Sequence, residues 1–418
     1  MQIMKINKPK GTYDLFPEDS AKWQWAEGIA RNLFEEYGFF EIRTPIFEST
    51  ELFSRSIGKF TDIVEKQMYT FKDKKDRSLT LRPEATVSVI RAYLEKGEEG
   101  ALKRFYYLGP MFRYDRPQRG RFRQFSQIGV ELFGVAHPGA DSEIILLLNE
   151  LFGRWGLKNF EIQLNSLGCS LCRKKYLKIL YDYLKEIPLC ADCERRKEKN
   201  TLRVLDCKNE TCQSAIEKAP KLTDYLCKDC SFHFARTKDY LDHLKVPYSV
   251  NPRLVRGLDY YTRTVFELFL SKSGENIAVA AGGRYDNLIE ELGGRKTPAV
   301  GFAIGMERLM ANLVLPDQKK ISFYFAFLGD EKILKEAIKL TQKLRKSKIP
   351  VIINYEARSL KNQLRQADRL GCEFTLIFGS EEFEKNVVIL RDMKKSTQKE
   401  IKRENLVEKI KGLPKEII

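Results

Sequence analysis

The sequence predicts an α+β protein: an antiparallel sheet flanked by helices, interrupted by a cysteine-rich, mainly helical insertion and followed by a small C-terminal α/β domain. Three observations carry that prediction. Helix and strand signals mix with hairpins over residues 1–168 and again over 251–320, instead of alternating strictly as a doubly wound fold requires. Eight of the nine cysteines crowd into 169–230, within an insertion placed at 169–250. Beyond a linker-like LPDQKK at 315–320, the order β–α–β–α–β returns over 321–418, which predicts a mostly parallel sheet. A chain of 418 residues is long enough for two or three such domains.

The elements follow in order. Glu18 to Tyr37 has helical apolar spacing through Ala21, Trp23, Trp25, Ala26, Ile29 and Leu33, and stops at Gly38. GFFEIRTPIFE reads as a strand broken by Pro45, which confines it to an edge that a partner subunit would cover. Phe105 to Gly134 reads as two strands joined by a loop carrying Arg116, Gln118, Arg119 and Arg121. A helix over Ser142–Trp155 and a short strand over Phe160–Leu164 precede the insertion. Strand signals resume at Tyr248–Leu270 and Ile277–Ala281, and a helix starts near Gly305. In the last domain FYFAFLG, PVIINY and FTLIFG are strands, separated by helices over Glu331–Lys346 and Leu360–Leu370 and followed by a final strand and helix.

Net charge is +16 and the sequence pI about 9.2, which points to a polyanionic partner against the plainer reading of a solvated lysine-rich surface. Residues 321–418 hold a surplus of +7 and 169–250 a surplus of +5, so the two accessory regions carry most of the excess. No run approaches the roughly 18 apolar residues of a membrane span, and the polar N-terminus does not read as a signal peptide. A cytoplasmic protein is expected. None of the three histidines, His137, His233 and His243, sits beside a plausible nucleophile, so chemistry must rest on arginines and carboxylates.

In the second strand of the long hairpin, alternation puts Arg121, Arg123, Gln127, Gly129 and Glu131 on one face and Ile128, Val130 and Leu132 on the other. The charged face needs partners if buried. Gly129 reads as a gap for a ligand, although an exposed sheet face with ordinary ion pairs gives the same pattern. Glu84 and Thr86 open a helix in LRPEATVSVIRAYL, where capping is an equal alternative. LVRGLDYYTRTVFE brings Arg256, Tyr260 and Tyr261 into an apparent strand, and AGGRYDNLI sets paired glycines before Tyr285, suggesting close backbone approach to a ligand. With Arg308 after Gly305, the cations Arg113, Arg121, Arg256 and Arg308 suit a ligand with several phosphates.

These segments resemble the histidyl-tRNA synthetases, a class II aminoacyl-tRNA synthetase family, over essentially the whole chain. GFFEIRTPIFE resembles the dimer-interface motif of the class, FYYLGPMFRYDRPQRGRFRQF its ATP-binding motif with the tRNA-acceptor loop, and AVGFAIGMERL its third motif. LVRGLDYYTRTVFE and AGGRYDNL resemble segments particular to the histidine enzymes and their paralogues. The resemblance implies activation of histidine with ATP and Mg²⁺, transfer to tRNA(His), and a homodimer without membrane attachment. It implies that Arg113 binds the α-phosphate, Arg308 the far phosphates and the adenine, and Arg121 the γ-phosphate. It assigns Glu84, Thr86 and Gln127 to the α-amino group of histidine and Glu131 and Tyr261 to its imidazole. Tyr260 and Tyr285 line the pocket, and Arg256 screens the reacting anions. Arg116, Gln118 and Arg119 face the tRNA acceptor end. The rival within this resemblance is the synthetase-like regulatory subunit of ATP phosphoribosyltransferase, which typically lacks a C-terminal domain; RSLKNQLRQADRLG at 358–371 resembles the anticodon-binding domain instead.

The cysteines pair as Cys169/Cys172, Cys190/Cys193, Cys207/Cys212 and Cys227/Cys230, three of them with CxxC spacing. Such pairs share tetrahedral Zn²⁺, and eight thiolates fill one or two structural sites; reduced, metal-free cysteines are the alternative. Spacing leaves open which pairs combine. No candidate pocket residue lies in 169–230, so metal loss is expected to spare amino-acid activation. Cys372 is expected in a core.

Overall fold

The computed structural model describes residues 6–58, 61–97, 100–116, 120–272, 275–315, 323–356 and 359–413. They form two compact units, Met1–Val314 and Leu315–Ile418.

In the first unit, helix α1 (Pro17–Glu36) buries Trp23, Ala26, Ala30, Leu33 and Phe34 along one stripe and stops where Gly38 takes φ +73°. Pro45 splits the next segment into two short strands, β1 (Phe40–Glu41) and β2 (Phe47–Ser49). After α2 (Thr50–Ser56), strands β3 (Tyr69–Lys72) and β4 (Ser78–Leu81) join β2 in a small sheet of order β2-β4-β3, and α3 (Thr86–Glu95) follows. The long hairpin is β5 (Lys103–Phe112) and β6 (Gln124–Phe133), then come α4 (Pro138–Arg154) and β7 (Phe160–Ser166).

The insertion is helical: α5 (Ser170–Lys185), α6 (Ala191–Lys199), α7 (Glu210–Ile216) and α8 (Lys228–His243). The chain returns through β8 (Ser249–Val250), β9 (Thr262–Lys272), β10 (Glu275–Arg284), α9 (Leu288–Glu291), β11 (Ala299–Gly305) and α10 (Met306–Met310).

The eight-stranded sheet has the order β1-β5-β6-β11-β10-β9-β7-β8. Its interior pairs are antiparallel, and only the two edge pairs, β1/β5 and β7/β8, are parallel. Consecutive side chains alternate faces. Tyr106 accordingly enters a core with α1 and α4, whereas Tyr107 enters a second core with α3, Tyr260, Tyr261 and insertion residues such as Tyr176, Leu180 and Val204. The insertion thus shares hydrophobic core with both faces of the sheet, α5 to α7 with the second core and Phe234 and Leu241 of α8 with the first.

Three expectations change. Residues 254–261 are irregular, and the strand starts only at Thr262; the β-branched and aromatic residues that suggested a strand serve the second core instead. The glycines make room for protein. A Cβ at Gly129 would strike the Tyr107 hydroxyl and the Phe302 carbonyl, and one at Gly282 would strike the Gly301 carbonyl and the Phe266 ring. The third change lies in the second unit. There β12 (Phe323–Leu328), α11 (Glu331–Lys346), β13 (Val351–Ile353), α12 (Leu360–Arg369) and β14 (Phe374–Gly379) give two parallel pairs. After α13 (Ser380–Glu384), however, β15 (Val387–Asp392) and β16 (Gln398–Lys402) form an antiparallel hairpin before α14 (Leu406–Lys411), so this sheet is half parallel. Cys372 is buried in a small core with Tyr324, Ala326 and Ala367.

Candidate active site

A cavity of about 420 Å³ opens over strands β6, β11, β10 and β9, within the range of small-ligand sites. Its floor carries Gln127 and Glu131 from β6, Glu267 from β9, and residues 278–281 of β10 and 301–303 of β11. Glu84 and Thr86, at the start of α3, close one side, and Arg256, Tyr260, Tyr261 and Tyr285 another. Arg113, Arg121 and Arg308 form the cationic end. Arg116 is exposed, donating its backbone N–H to Asp115, and does not line the cavity. Gln118 and Arg119 lie outside the described residues.

Glu131 is 1% exposed; its carboxylate accepts from the Thr86 hydroxyl at 2.7 Å and from the Tyr285 hydroxyl. Burial pushes its pKa up to about 8, against the pull of those two donors. Glu84 accepts the backbone N–H groups of Thr86 and Val87 at 2.8 and 3.0 Å, so it does cap α3 while also facing the cavity. Tyr260, Tyr261 and Tyr285 pack their rings together, with the Arg256 guanidinium 5.5 Å from the Tyr261 ring centroid.

The cations differ in what balances them. Arg256 pairs with Glu267, a partner marked in the sequence only by a lone acid inside the apolar run VFELFL. Arg113 donates to the Pro83 carbonyl at 2.8 Å and has no ion-pair partner among the described residues; burial lowers its pKa. Arg308 donates to the carbonyls of Ala278 and Gly120, and burial followed by repulsion from Arg121 lowers its pKa too. Cations held together against desolvation and one another call for an anion of several charges. Two buried atoms, Gln127 Oε1 and Arg256 Nε, find no hydrogen-bond partner among the described residues.

Sequence reasoning missed Arg203 and Asp62, which also line the cavity. Arg203 comes from the insertion, so that region is not remote from the site. Nothing in its local sequence signals this.

The cysteines sort into two nested clusters: Cys169, Cys172, Cys227 and Cys230, and Cys190, Cys193, Cys207 and Cys212. In each, the four sulfurs lie within 4.8 Å of one another, and the Sγ atoms of Cys169/Cys172 and Cys190/Cys207 are 3.6 and 3.9 Å apart. With Zn–S bonds of about 2.3 Å, the edge of a tetrahedron is about 3.8 Å. The backbone N–H groups of Cys190 and Cys227 point at the sulfurs of Cys212 and Cys172, at 3.2 and 3.1 Å. Cys169, Cys190 and Cys227 occupy the N-cap positions of α5, α6 and α8. The donor set fits Zn²⁺.

The family described as histidyl-tRNA synthetase matches residues 11–178 and 183–309, and the family described as anticodon binding domain matches 313–413. A histidine–tRNA ligase of Thermodesulfovibrio yellowstonii is 49% identical over 98% of this chain and 99% of its own, and one of Halothermothrix orenii is 47% identical over 98% and 100%. The crystal structure of apo histidyl-tRNA synthetase from S. aureus superposes with a TM-score of 0.81 at 37% identity, covering 97% of this chain and 100% of that one.

Proposed function

This chain belongs to the histidyl-tRNA synthetase family, and from that premise we propose how its pocket works. The protein is a class II enzyme that activates histidine with ATP to histidyl-adenylate and transfers histidine to the 3′ end of tRNA(His). In the first step a histidine carboxylate oxygen attacks the α-phosphorus, the bond to the bridging oxygen breaks, and pyrophosphate leaves. In the second, a hydroxyl of the terminal ribose attacks the acyl carbon and AMP leaves. Little proton transfer is needed in the first step, so positioning and charge neutralisation do the work.

The observation that carries the reading is the pair of unmatched buried atoms between a carboxylate wall and an arginine wall. Gln127 Oε1 is an acceptor for the α-ammonium, beside Glu84 and Thr86. Glu131 and Tyr261 meet the imidazole, against the ring surfaces of Tyr260 and Tyr285; buried polar readout of this kind discriminates where an apolar slot could not. Arg256 turns its free Nε to the reacting anions, Arg113 holds the α-phosphate, and Arg308 with Arg121 the far phosphates. Mg²⁺ bound to those phosphates would neutralise their charge, with Asp115 and Glu307 the carboxylates on that side of the cavity. Arg116, Gln118 and Arg119 would meet the acceptor end of the tRNA.

We assign structural Zn²⁺ to both cysteine clusters, two ions per chain, on their sulfur geometry. The boundaries 1–168, 169–250, 251–320 and 321–418 serve as functional divisions: catalytic, inserted, catalytic and anticodon-binding. A homodimer is supported by apolar side chains left open on and near the β1 edge, Phe40 at 72% exposure, with Ile46, Phe47 and Phe71 also exposed. Light scattering should give the mass of two chains, and a monomer at micromolar concentration would overturn this. No helix among the described residues is long and apolar enough to cross a membrane; a reducing cytoplasm would keep the eight thiols available to metal.

The test of function is ATP–pyrophosphate exchange across amino acids: histidine alone should support it, and exchange with another amino acid but not histidine would refute the pocket assignment. The regulatory-subunit reading has less support. Residues 313–413 match the anticodon binding domain, a C-terminal domain that such regulatory subunits typically lack.

A further inference from the structure

The loop from Arg256 to Tyr261 carries a half-buried carboxylate, Asp259, that the pocket does not use. Asp259 packs against Gly58, where a Cβ would collide with it, and its backbone N–H donates to the Ile57 carbonyl at 3.2 Å. The groups that offset its charge among the described residues, Asn200, Arg173 and Arg203, come from the insertion. Asn200 Nδ2 donates to Asp259 Oδ1 at 2.9 Å, and burial raises the Asp259 pKa against the pull of Asn200, Arg173 and Arg203. Arg173 also grips the loop backbone, donating to the Asp259 carbonyl at 2.9 Å and to the Tyr261 carbonyl.

The origin of these residues matters. Arg173 follows Cys172 directly, in the first turn of the helix capped by Cys169, so the outer cluster fixes its base. Asn200 and Arg203 lie between Cys193 and Cys207, in the segment that the inner cluster closes. That segment is tied to the catalytic body at a second point, where Arg196 and Arg203 sit 3.9 and 3.7 Å from Asp62, itself a cavity residue. The Arg263 N–H bonds to the Gly168 carbonyl at 2.8 Å, joining the far end of the loop to the residue before Cys169.

We propose that the two cysteine clusters brace the histidine-recognition loop through Arg173 and Asn200, so that metal loading of the insertion sets the affinity of the pocket for its amino acid. This rests on the reading of 256–261 as a histidine-binding loop and reverses the expectation that metal loss spares activation. Asn200 and Arg173 are positioning residues; neither touches substrate.

The test uses the full-length zinc-loaded protein, the same protein after chelation, and Asn200→Ala, which leaves every cysteine in place. Hydrogen exchange at the amides of 257–263 and the KM values for histidine and ATP are measured on each. Chelation should speed exchange in that loop, and Asn200→Ala should do so with zinc still at two per chain. Both should raise the KM for histidine about tenfold, the scale of one hydrogen bond to a charged group, and leave that for ATP unchanged. A loop whose exchange ignores both changes, a histidine KM unmoved in Asn200→Ala, or a purified protein without zinc overturns the brace. If the metal-free protein unfolds, Asn200→Ala decides alone. A loaded protein with no histidine-dependent exchange would sink the functional reading instead, while the hydrogen-exchange result still judges the brace.

Discussion

Strand β10 serves two clusters of buried charge that resolve in opposite ways. At its end, Arg284 is fully buried, and each of its guanidinium nitrogens has a protein partner: Asp141 for Nε and Nη2, the Val135 carbonyl and Asp286 for Nη1. Burial would raise the Asp141 pKa, but Arg284 and then His233 outweigh it and hold the carboxyl well below its usual range. Along the same strand, the cavity keeps Arg113 without an ion-pair partner, and Gln127 Oε1 and Arg256 Nε without a hydrogen-bond partner, among the described residues. Burying charge therefore does not identify a site. What distinguishes the site is unmatched polar capacity that faces a cavity, since buried atoms such as Tyr93 Oη and Thr264 Oγ1 also find no partner among the described residues yet do not line it.

The largest effect should come from breaking the matched cluster. Arg284→Ala leaves Asp141 buried with only His233, 3.3 Å away, beside it, and denaturant unfolding should show a loss of about 3–5 kcal/mol. Exchange activity should fall only with the folded fraction. Arg256→Ala should behave the other way, keeping the fold and losing roughly 10²-fold or more in kcat, as removal of one electrostatic stabiliser does. A variant within about threefold of wild type would leave Arg256 a structural partner of Glu267 and erase the distinction between the clusters.

The sequence made this contrast only half legible. Alternation in β5 and β6 placed Gln127 and Glu131 on a face opposite Ile128 and Val130, because strand periodicity is local. It could not say what that face would meet. Gly129 and Gly282 looked like space for a ligand, but their neighbours, Tyr107 and Gly301, come from strands whose register is set over long distances. AGGRYDNLI held a structural arginine, Arg284, beside a pocket residue, Tyr285, since adjacent positions point to opposite sides. Arg203 and the nesting of the cysteine pairs were invisible for the same reason: both depend on how the insertion folds back.

A smaller effect separates binding from stability. Gln127→Met removes a buried acceptor that has no partner among the described residues, so thermal unfolding should show no loss of stability and even a slight gain. The KM for histidine should rise about tenfold, the worth of a hydrogen bond to the ammonium group. A destabilised variant with unchanged KM would show that the Gln127 carbonyl serves the fold.

The last effect is a dependence on pH, and its sign follows from Glu131. Burial raises its folded pKa to about 8, whereas an unfolded chain releases that proton near the ordinary value of about 4.3. Between those values the folded protein binds the extra proton. Its contribution to stability is therefore complete at low pH and is lost as pH rises toward 8. Glu131→Gln removes this one proton from the balance. The stability of the variant relative to wild type should grow with pH, by up to about 1.4 kcal/mol between pH 6 and 7, the limit for a single titrating group. It should level off above about pH 8, where wild-type Glu131 is ionised in both states. The same substitution at Asp141 should show no such slope in that window, because Arg284 keeps Asp141 ionised throughout it. Unfolding curves of both variants across pH 5 to 9 check the pair. A flat difference for Glu131→Gln would mean that Glu131 is already ionised in the empty pocket, and that Thr86 and Tyr285 stabilise the carboxylate as fully as Arg284 stabilises Asp141.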